Sequence, residues 1–367
     1  MNTTPVTFSF QFGPVGPAGM SDEALYHEGV ADAVYGHSLG YETGWMIEHH
    51  FSEYYPTPNP LMYLSNVAAA CPGLGLGTSV MVLPWYNPLR FAEDIAMLQT
   101  LSQADLHIGI GRGTAKAEYE AFQVDMGTAR ESFAEYWDII RHLLAGGKAT
   151  YNGQFVKIPN PIELRPRLGA KVPNFYGAIG SQGSASVIGG LGLPPMAIAQ
   201  FPDAILRKIL STWKEAAAGV GLSTEQKLPI FTQCWIADTD EEARRQARQY
   251  LPDFFKIQVQ HYQSDEDPLR WVTGYEQWSR LFTNLKRLSD PTKSNLDDYM
   301  SMNLVGSPDT VERRIRELTD IGFNDIIITN AIYRVPRDVR HSMLDRFARE
   351  IAPRFTTPVR SPIHINA

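Results

Sequence analysis

Short apolar runs alternate with longer amphipathic segments along most of the chain. Residues 6–12 alternate with the period of two expected of a strand, and Ser21 and Asp22 then offer caps to a helix-period segment over residues 23–39. The same alternation of elements continues. Residues 44–47, 74–83, 106–110, 174–178, 195–199, 228–237 and 325–329 read as further strands. Residues 59–70, with Pro60 at a first-turn position, read as a helix, as do 88–102, 130–144, 184–190, 203–218, 240–260, 308–321 and 337–351. The proline-bearing stretch 150–165 predicts a β-excursion.

Eight strands interleaved with helices, each connection long enough for a right-handed parallel crossover, predict a (β/α)8 TIM barrel formed by residues 1–367 as a single domain. A doubly wound open sheet is the competing architecture. It would carry a dinucleotide fingerprint after its first strand, and Gly13-Pro14-Val15-Gly16-Pro17 does not supply GxGxxG. Residues 264–301 are polar and break the rhythm. They read as an insertion, helical around 275–288, that is either a lid or a passive surface excursion.

Composition narrows the function classes. The chain has 33 Lys and Arg against 40 Asp and Glu, a formal net charge of −7, and no basic stripe, so nucleic acid and anionic membranes are not expected partners. Cys71 and Cys234 lie far apart and form no metal or disulfide framework. With no signal-peptide pattern in residues 1–17 and no apolar run of about 20 residues, a cytoplasmic enzyme is expected.

Three stretches carry candidate chemistry. The first is Glu48-His49-His50-Phe51, past the end of the second strand, where barrel active sites gather. Adjacent side chains on a strand diverge, so one histidine faces the barrel mouth and the other the helical layer; a shared metal is not expected. The pocket-facing ring is a candidate general base or hydrogen-bond donor, histidine titrating near neutral pH. The alternative is a pair of structural histidines. The second stretch, Gly109-Ile110-Gly111-Arg112-Gly113, combines close backbone approach with a cation suited to phosphate; a plain strand-to-helix turn is the alternative. The third, Gly180-Ser181-Gln182-Gly183-Ser184, opens a helix and offers amides to an anion, or is ordinary capping. On neighbouring loops of one barrel face, the last two suggest a cofactor phosphate.

Together with Asn59-Pro60, Gly77-Thr78, Val82-Leu83-Pro84, Pro88-Leu89-Arg90-Phe91-Ala92-Glu93-Asp94 and Val305-Gly306-Ser307-Pro308, these stretches resemble the bacterial luciferase-like flavin monooxygenase family, most closely its luciferase catalytic subunit. The resemblance implies a barrel that binds FMN at the carboxyl ends of its strands. It implies that reduced FMN comes from a separate reductase, that dioxygen forms a C(4a)-peroxide, and that a small organic substrate is hydroxylated or oxidised in the Baeyer–Villiger manner. His49 matches the catalytic histidine, with Glu48 and His50 beside it. Ser79-Val80 matches a non-prolyl cis peptide beneath the flavin ring. Arg112, Ser181 and Ser184 match phosphate-binding positions, Glu118 an acidic position near the flavin, and Trp278 an aromatic one. Gly111 stands where the luciferase subunit has a cysteine, suggesting extra room above the ring, and Gly180 where it has a glutamate; light emission is therefore not expected. An aromatic pocket drawing on Phe10, Phe12, Trp85, Tyr86 and Trp278 is expected. So is a dimer formed through the helices at 59–70 and 88–102. A deazaflavin-dependent hydride-transfer enzyme and a non-catalytic flavin-binding subunit are the alternatives within the resemblance.

Overall fold

The computed structural model describes residues 5–262, 272, 275–290, 292, 296–329 and 331–355, without the side chains of 276–282. Its strands are β1 (Thr7–Gln11), β2 (Thr43–Met46), β3 (Gly75–Val82), β4 (Leu106–Gly111), β5 (Lys148–Asn152), β6 (Lys157–Glu163), β7 (Asn174–Ala178), β8 (Pro195–Ile198), β9 (Pro229–Ile236), β10 (Leu304–Gly306) and β11 (Asp325–Thr329). Its helices are α1 (Asp22–Ser38), α2 (Pro60–Ala70), α3 (Pro88–Leu101), α4 (Lys116–Ala121), α5 (Ala129–Leu144), α6 (Gln182–Gly190), α7 (Asp203–Gly219), α8 (Asp240–His261), α9 (Glu276–Ser289), α10 (Leu296–Met302), α11 (Pro308–Ile321) and α12 (Arg337–Arg346).

The strands β9, β11, β1, β2, β3, β4, β7 and β8 pair in that order, all parallel, and β8 pairs again with β9 to close an eight-stranded (β/α)8 barrel. The eight residues of β9 serve more than one neighbour. Pro229 to Gln233 pair with β11, and Cys234 to Ile236 carry the short β10 above the ring. The excursion at 150–165 is the antiparallel hairpin β5–β6. Its turn is held by one carboxylate: Glu135 of α5 accepts from the backbone N–H groups of Gln154, Phe155 and Val156 at 2.8–2.9 Å.

The predicted capping chemistry is realised. Ser21 caps α1 through the Ala24 amide and Asn59 caps α2 through that of Met62. Three elements escape the sequence pattern. The six-residue α4 and three-residue β10 are too short for periodicity to show, and α10 lies within the polar insertion. The closing helix keeps α-geometry to Arg346 and finishes as a π-turn over Phe347–Ile351. Residues 263–271 of the insertion lie outside the described residues.

Inside the ring, Trp45, Tyr176, Met196, Phe231 and Ile327 form a packed layer, with Trp45 edge-on to Tyr176 and Phe231. Gly77 makes this layer possible, because a Cβ there would stand 2.4 Å from the Trp45 ring. Below it, buried Asp325 accepts from the hydroxyls of Thr7 and Ser9 at 3.0 and 3.1 Å. Phe10 and Phe12 turn outward into the core between strands and helices, so they are not pocket walls as the sequence suggested. Their neighbour Gln11 faces the cavity instead. The helices α1 and α12 are joined by a buried ion cluster. Arg340 of α12 donates to Asp32 of α1 at 2.7 and 3.1 Å and to Glu28 at 2.9 Å.

Candidate active site

A cavity of about 290 Å³ opens above the Trp45 layer, at the carboxyl ends of the strands. Its walls include Glu48, His49, Ser79, Val80, Gly111, Arg112, Glu118, Gly180 and Ser184. These segments are dispersed in sequence, and barrel closure gathers them. Tyr54, Tyr55, Phe254, Tyr262, Tyr275 and Tyr299 supply the aromatic part of the wall. Leu285 of α9 and Tyr299 of α10 also line it, so the insertion forms part of the chamber and is not a passive excursion. Trp85 and Tyr86 stand outside the wall: Trp85 packs on His50, Tyr119 and Phe122, and Tyr86 donates to Glu48. The side chain of Trp278 lies outside the described residues.

The peptide between Ser79 and Val80 is cis, and the β3–β4 register shifts between Thr78 and Met81 where it occurs. Glycines on β4 admit this distortion. A Cβ at Gly109 would meet the Thr78 carbonyl at 2.3 Å, and one at Gly111 would meet Val80 Cγ2 at 2.6 Å. The missing side chain at 111 therefore does not leave the extra room inferred from sequence, because Val80 fills it.

Glu48 is fully desolvated yet well supplied with donors. Its Oε2 accepts from the Val82 amide at 2.6 Å, and Oε1 takes Tyr86 Oη and lies 3.1 Å from His50 Nε2. Burial pushes its pKa up, and these hydrogen bonds oppose the shift. The arrangement makes Glu48 an anchor that locks β3 to the His49-His50 segment. The His50 ring points away from the cavity, edge-on to Trp85 and Phe122. The two histidine rings diverge as expected, one toward the chamber and one toward Trp85 and Phe122.

His49 faces the cavity. Its Nε2 lies 3.4 Å from Tyr262 Oη and its Nδ1 3.6 Å from Glu118 Oε1. Burial pulls its pKa down to about 3, so the ring is neutral near pH 7. This corrects the expectation of titration near neutrality. Glu118 Oε1 accepts from the His50 amide at 2.6 Å, and burial pushes the Glu118 pKa up.

Sequence reasoning missed two residues. His261, the last residue of α8, places Nε2 3.6 Å from Glu118 Oε1, while its Nδ1 lies 2.8 Å from Ser52 Oγ. No local signal marks it, since its partners come from other segments. Arg130, in the first turn of α5, lines the cavity beside Phe133. Its signal was readable: a cation in a first helical turn opposes the macrodipole and asks for another reason to be there.

Arg112 stacks its guanidinium over the Tyr275 ring at 4.7 Å. Neither Arg112 nor Arg130 forms an ion pair with a described carboxylate, so two cations stand at the wall available to an anion. Ser181 and Ser184 form a capping box for α6: the Ser184 amide donates to Ser181 Oγ, and the Gly180 and Ser181 amides donate to Ser184 Oγ. Capping thus consumes three of the proposed anion-binding amides, and Ser181 itself is not in the cavity wall; Gly183 and Ser184 are.

Known proteins share this fold. Luciferase-like monooxygenases, as a family, match this chain over residues 7–325. The alkanal monooxygenase alpha chain of Photobacterium leiognathi is 23% identical over 366 residues, 98% of this chain and 100% of that protein. Over three curated relatives with 30, 32 and 36% identity, the chain spans only 40, 34 and 38% of their length. Among solved structures, monooxygenase RslO1 from Streptomyces bottropensis superposes with a TM-score of 0.77 at 24% identity, covering 95% of this chain and all of that one. The oxygenating constituent of 3,6-diketocamphane monooxygenase from Pseudomonas putida, a type II Baeyer–Villiger monooxygenase in complex with FMN, gives 0.74 at 19% identity, covering 97% and 100%. The chain belongs to the luciferase-like monooxygenase family.

Proposed function

We propose that this enzyme is a monooxygenase that accepts reduced FMN from a separate reductase and uses dioxygen to oxidise a small organic substrate. The observation that carries the reading is one chamber lined by two guanidiniums without a described carboxylate partner and by a neutral His49. The residues fit an isoalloxazine phosphate ester. Arg112, Arg130 and Ser184 would hold the phosphate, and the Ser79-Val80 segment would support the ring. Reduced FMN, when bound, supplies two electrons to dioxygen at its C(4a) carbon, for hydroxylation or for insertion beside a carbonyl.

The chain's own groups do the rest. Glu48 fixes the backbone that presents His49. His49, neutral and hydrogen-bonding, controls a proton at Nε2 together with Tyr262, the atom pair that faces the chamber. The tyrosine wall, with Leu285 and Tyr299, excludes water.

A separate reductase is supported by the lack of GxGxxG after β1. Two free, buried cysteines, Cys71 and Cys234, support a cytoplasmic setting. No helix of the described residues is long and apolar enough to cross a membrane. A dimer through α2 and α3 is supported by the exposed Met62, Met97 and Leu101 on those helices.

The test is a fluorescence titration with reduced FMN and with a reduced deazaflavin under anaerobic conditions. Tighter FMN binding is expected, followed on mixing with oxygen by a transient flavin absorbance. Preference for the deazaflavin, or no transient, overturns the reading in favour of hydride transfer or of a mere flavin binder.

A further inference from the structure

Three buried side chains from three separate segments converge at one wall of the chamber: His49 after β2, Glu118 on α4 and His261 at the end of α8. Their donor atoms all lie within 4.8 Å of one another. Neither His49 Nδ1 nor His261 Nε2 has a hydrogen-bond partner, and each lies 3.6 Å from the same oxygen, Glu118 Oε1.

That distance is informative. It is too long for a hydrogen bond, which is no longer made at 3.6 Å between heavy atoms. A water bridging two such atoms at about 2.8 Å would hold them roughly 4.6 Å apart. Two ligands on one tetrahedral zinc, bonded at about 2.0–2.2 Å, stand roughly 3.3 Å apart. The two histidine–Glu118 separations are nearest the last of these, and all three donor atoms lie within 4.8 Å of one another.

The outer ring of contacts is also that of a metal site. The far nitrogen of His261 meets Ser52 Oγ at 2.8 Å, the far nitrogen of His49 faces Tyr262 Oη at 3.4 Å, and the His50 amide donates to Glu118 at 2.6 Å. In the tautomers that carry Nδ1–H on His261 and Nε2–H on His49, each directed at its hydroxyl, the two free nitrogens present lone pairs to the carboxylate. Three acceptors then face one another in a desolvated space, an arrangement that a cation resolves.

We propose that His49, Glu118 and His261 form a binding site for a divalent transition metal of the zinc class, with a fourth position open to the chamber. Occupancy takes the Nδ1 lone pair of His49 and fixes its ring, so the metal-bound form is an inhibited state of the enzyme. The metal site stands independently of the flavin reading; only the inhibition rests on it.

The test uses the full chain, freed of metal by a chelator and titrated with Co²⁺ alone, without flavin. One equivalent should bind with the visible d–d absorption of a four-coordinate site, and Zn²⁺ should displace it. His261→Gln and Glu118→Gln should each weaken Co²⁺ binding at least tenfold, whereas His142→Gln, at an exposed histidine of α5, should not change it. Absence of the band in the unmodified protein overturns the proposal without recourse to any variant. So does a band that persists unchanged in folded His261→Gln. A Co²⁺ band with no loss of oxygenation on adding Zn²⁺ overturns the inhibited state and leaves the site.

Discussion

Gly111 and Val80 occupy one volume: a Cβ on the glycine would stand 2.6 Å from Val80 Cγ2 across the β3–β4 pair. Valine is stiff at χ1 and cannot swing aside freely. Gly111→Ala should therefore destabilise the protein by about 1–3 kcal/mol, the usual scale of overpacking. Val80→Ala combined with Gly111→Ala should recover most of that loss. Urea denaturation of the two single variants and the double variant checks this, and simple additivity would show that the two residues do not share space.

The paired guanidiniums make a separable prediction about ligand parts. Arg112→Ala and Arg130→Ala should each weaken reduced FMN by roughly ten- to a hundredfold, since a hydrogen bond to a charged group contributes about 1.5–3 kcal/mol. Riboflavin, which lacks the phosphate, should bind the variants and the parent protein alike. Equal losses for FMN and riboflavin would place both arginines at the ring or in the fold instead.

His107 predicts an acid-side loss of stability. It sits near the floor of the barrel with Nδ1 3.3 Å from Tyr176 Oη, and burial, helped by Lys227, pulls its pKa down to about 4. In the unfolded chain the ring titrates near 6.5. Above that pH both states hold it neutral. Below it the unfolded chain takes up a proton that the folded protein refuses, so stability falls as pH drops toward 4, by up to about 1.4 kcal/mol per pH unit. His107→Gln should lose less stability than the parent between pH 7 and pH 5. Measuring unfolding free energies at both pH values isolates this group, because the other histidines contribute equally to both proteins.

The joint between α1 and α12 predicts a large mutational cost. Arg340 is buried, donates to Asp32 and Glu28, and also binds the Val335 carbonyl at 2.6 Å. Arg340→Met would leave the buried Asp32 carboxylate with His341 Nε2, 2.9 Å away, as its one remaining side-chain partner among the described residues, and should cost about 3 kcal/mol. Adding Asp32→Leu should return part of that loss, read from chemical denaturation.

The barrel was legible because each of its strands is a local apolar run with turn residues around it. What sequence leaves open on β1 is which alternate set faces inward. Period two makes Phe8, Phe10 and Phe12 one face and Ser9 and Gln11 the other, and only closure reveals that the polar set lines the barrel. The site divides in the same way. His49, Arg112 and Ser184 carry motif signals and the Ser79-Val80 pair comes from the resemblance, whereas His261 acquires meaning only when the end of α8 meets α4. Glu118 was found by resemblance alone, as its six-residue helix is too short to announce itself.

The Trp45 layer turns the barrel into a blind well. With the interior plugged by Trp45, Tyr176, Met196, Phe231 and Ile327, and a polar stratum beneath them, the described residues leave the chamber no way through the floor of the barrel. Two molecules sharing such a well must queue. For the proposed reaction, an ordered sequence follows, in which whichever occupant lies deeper arrives first and departs last.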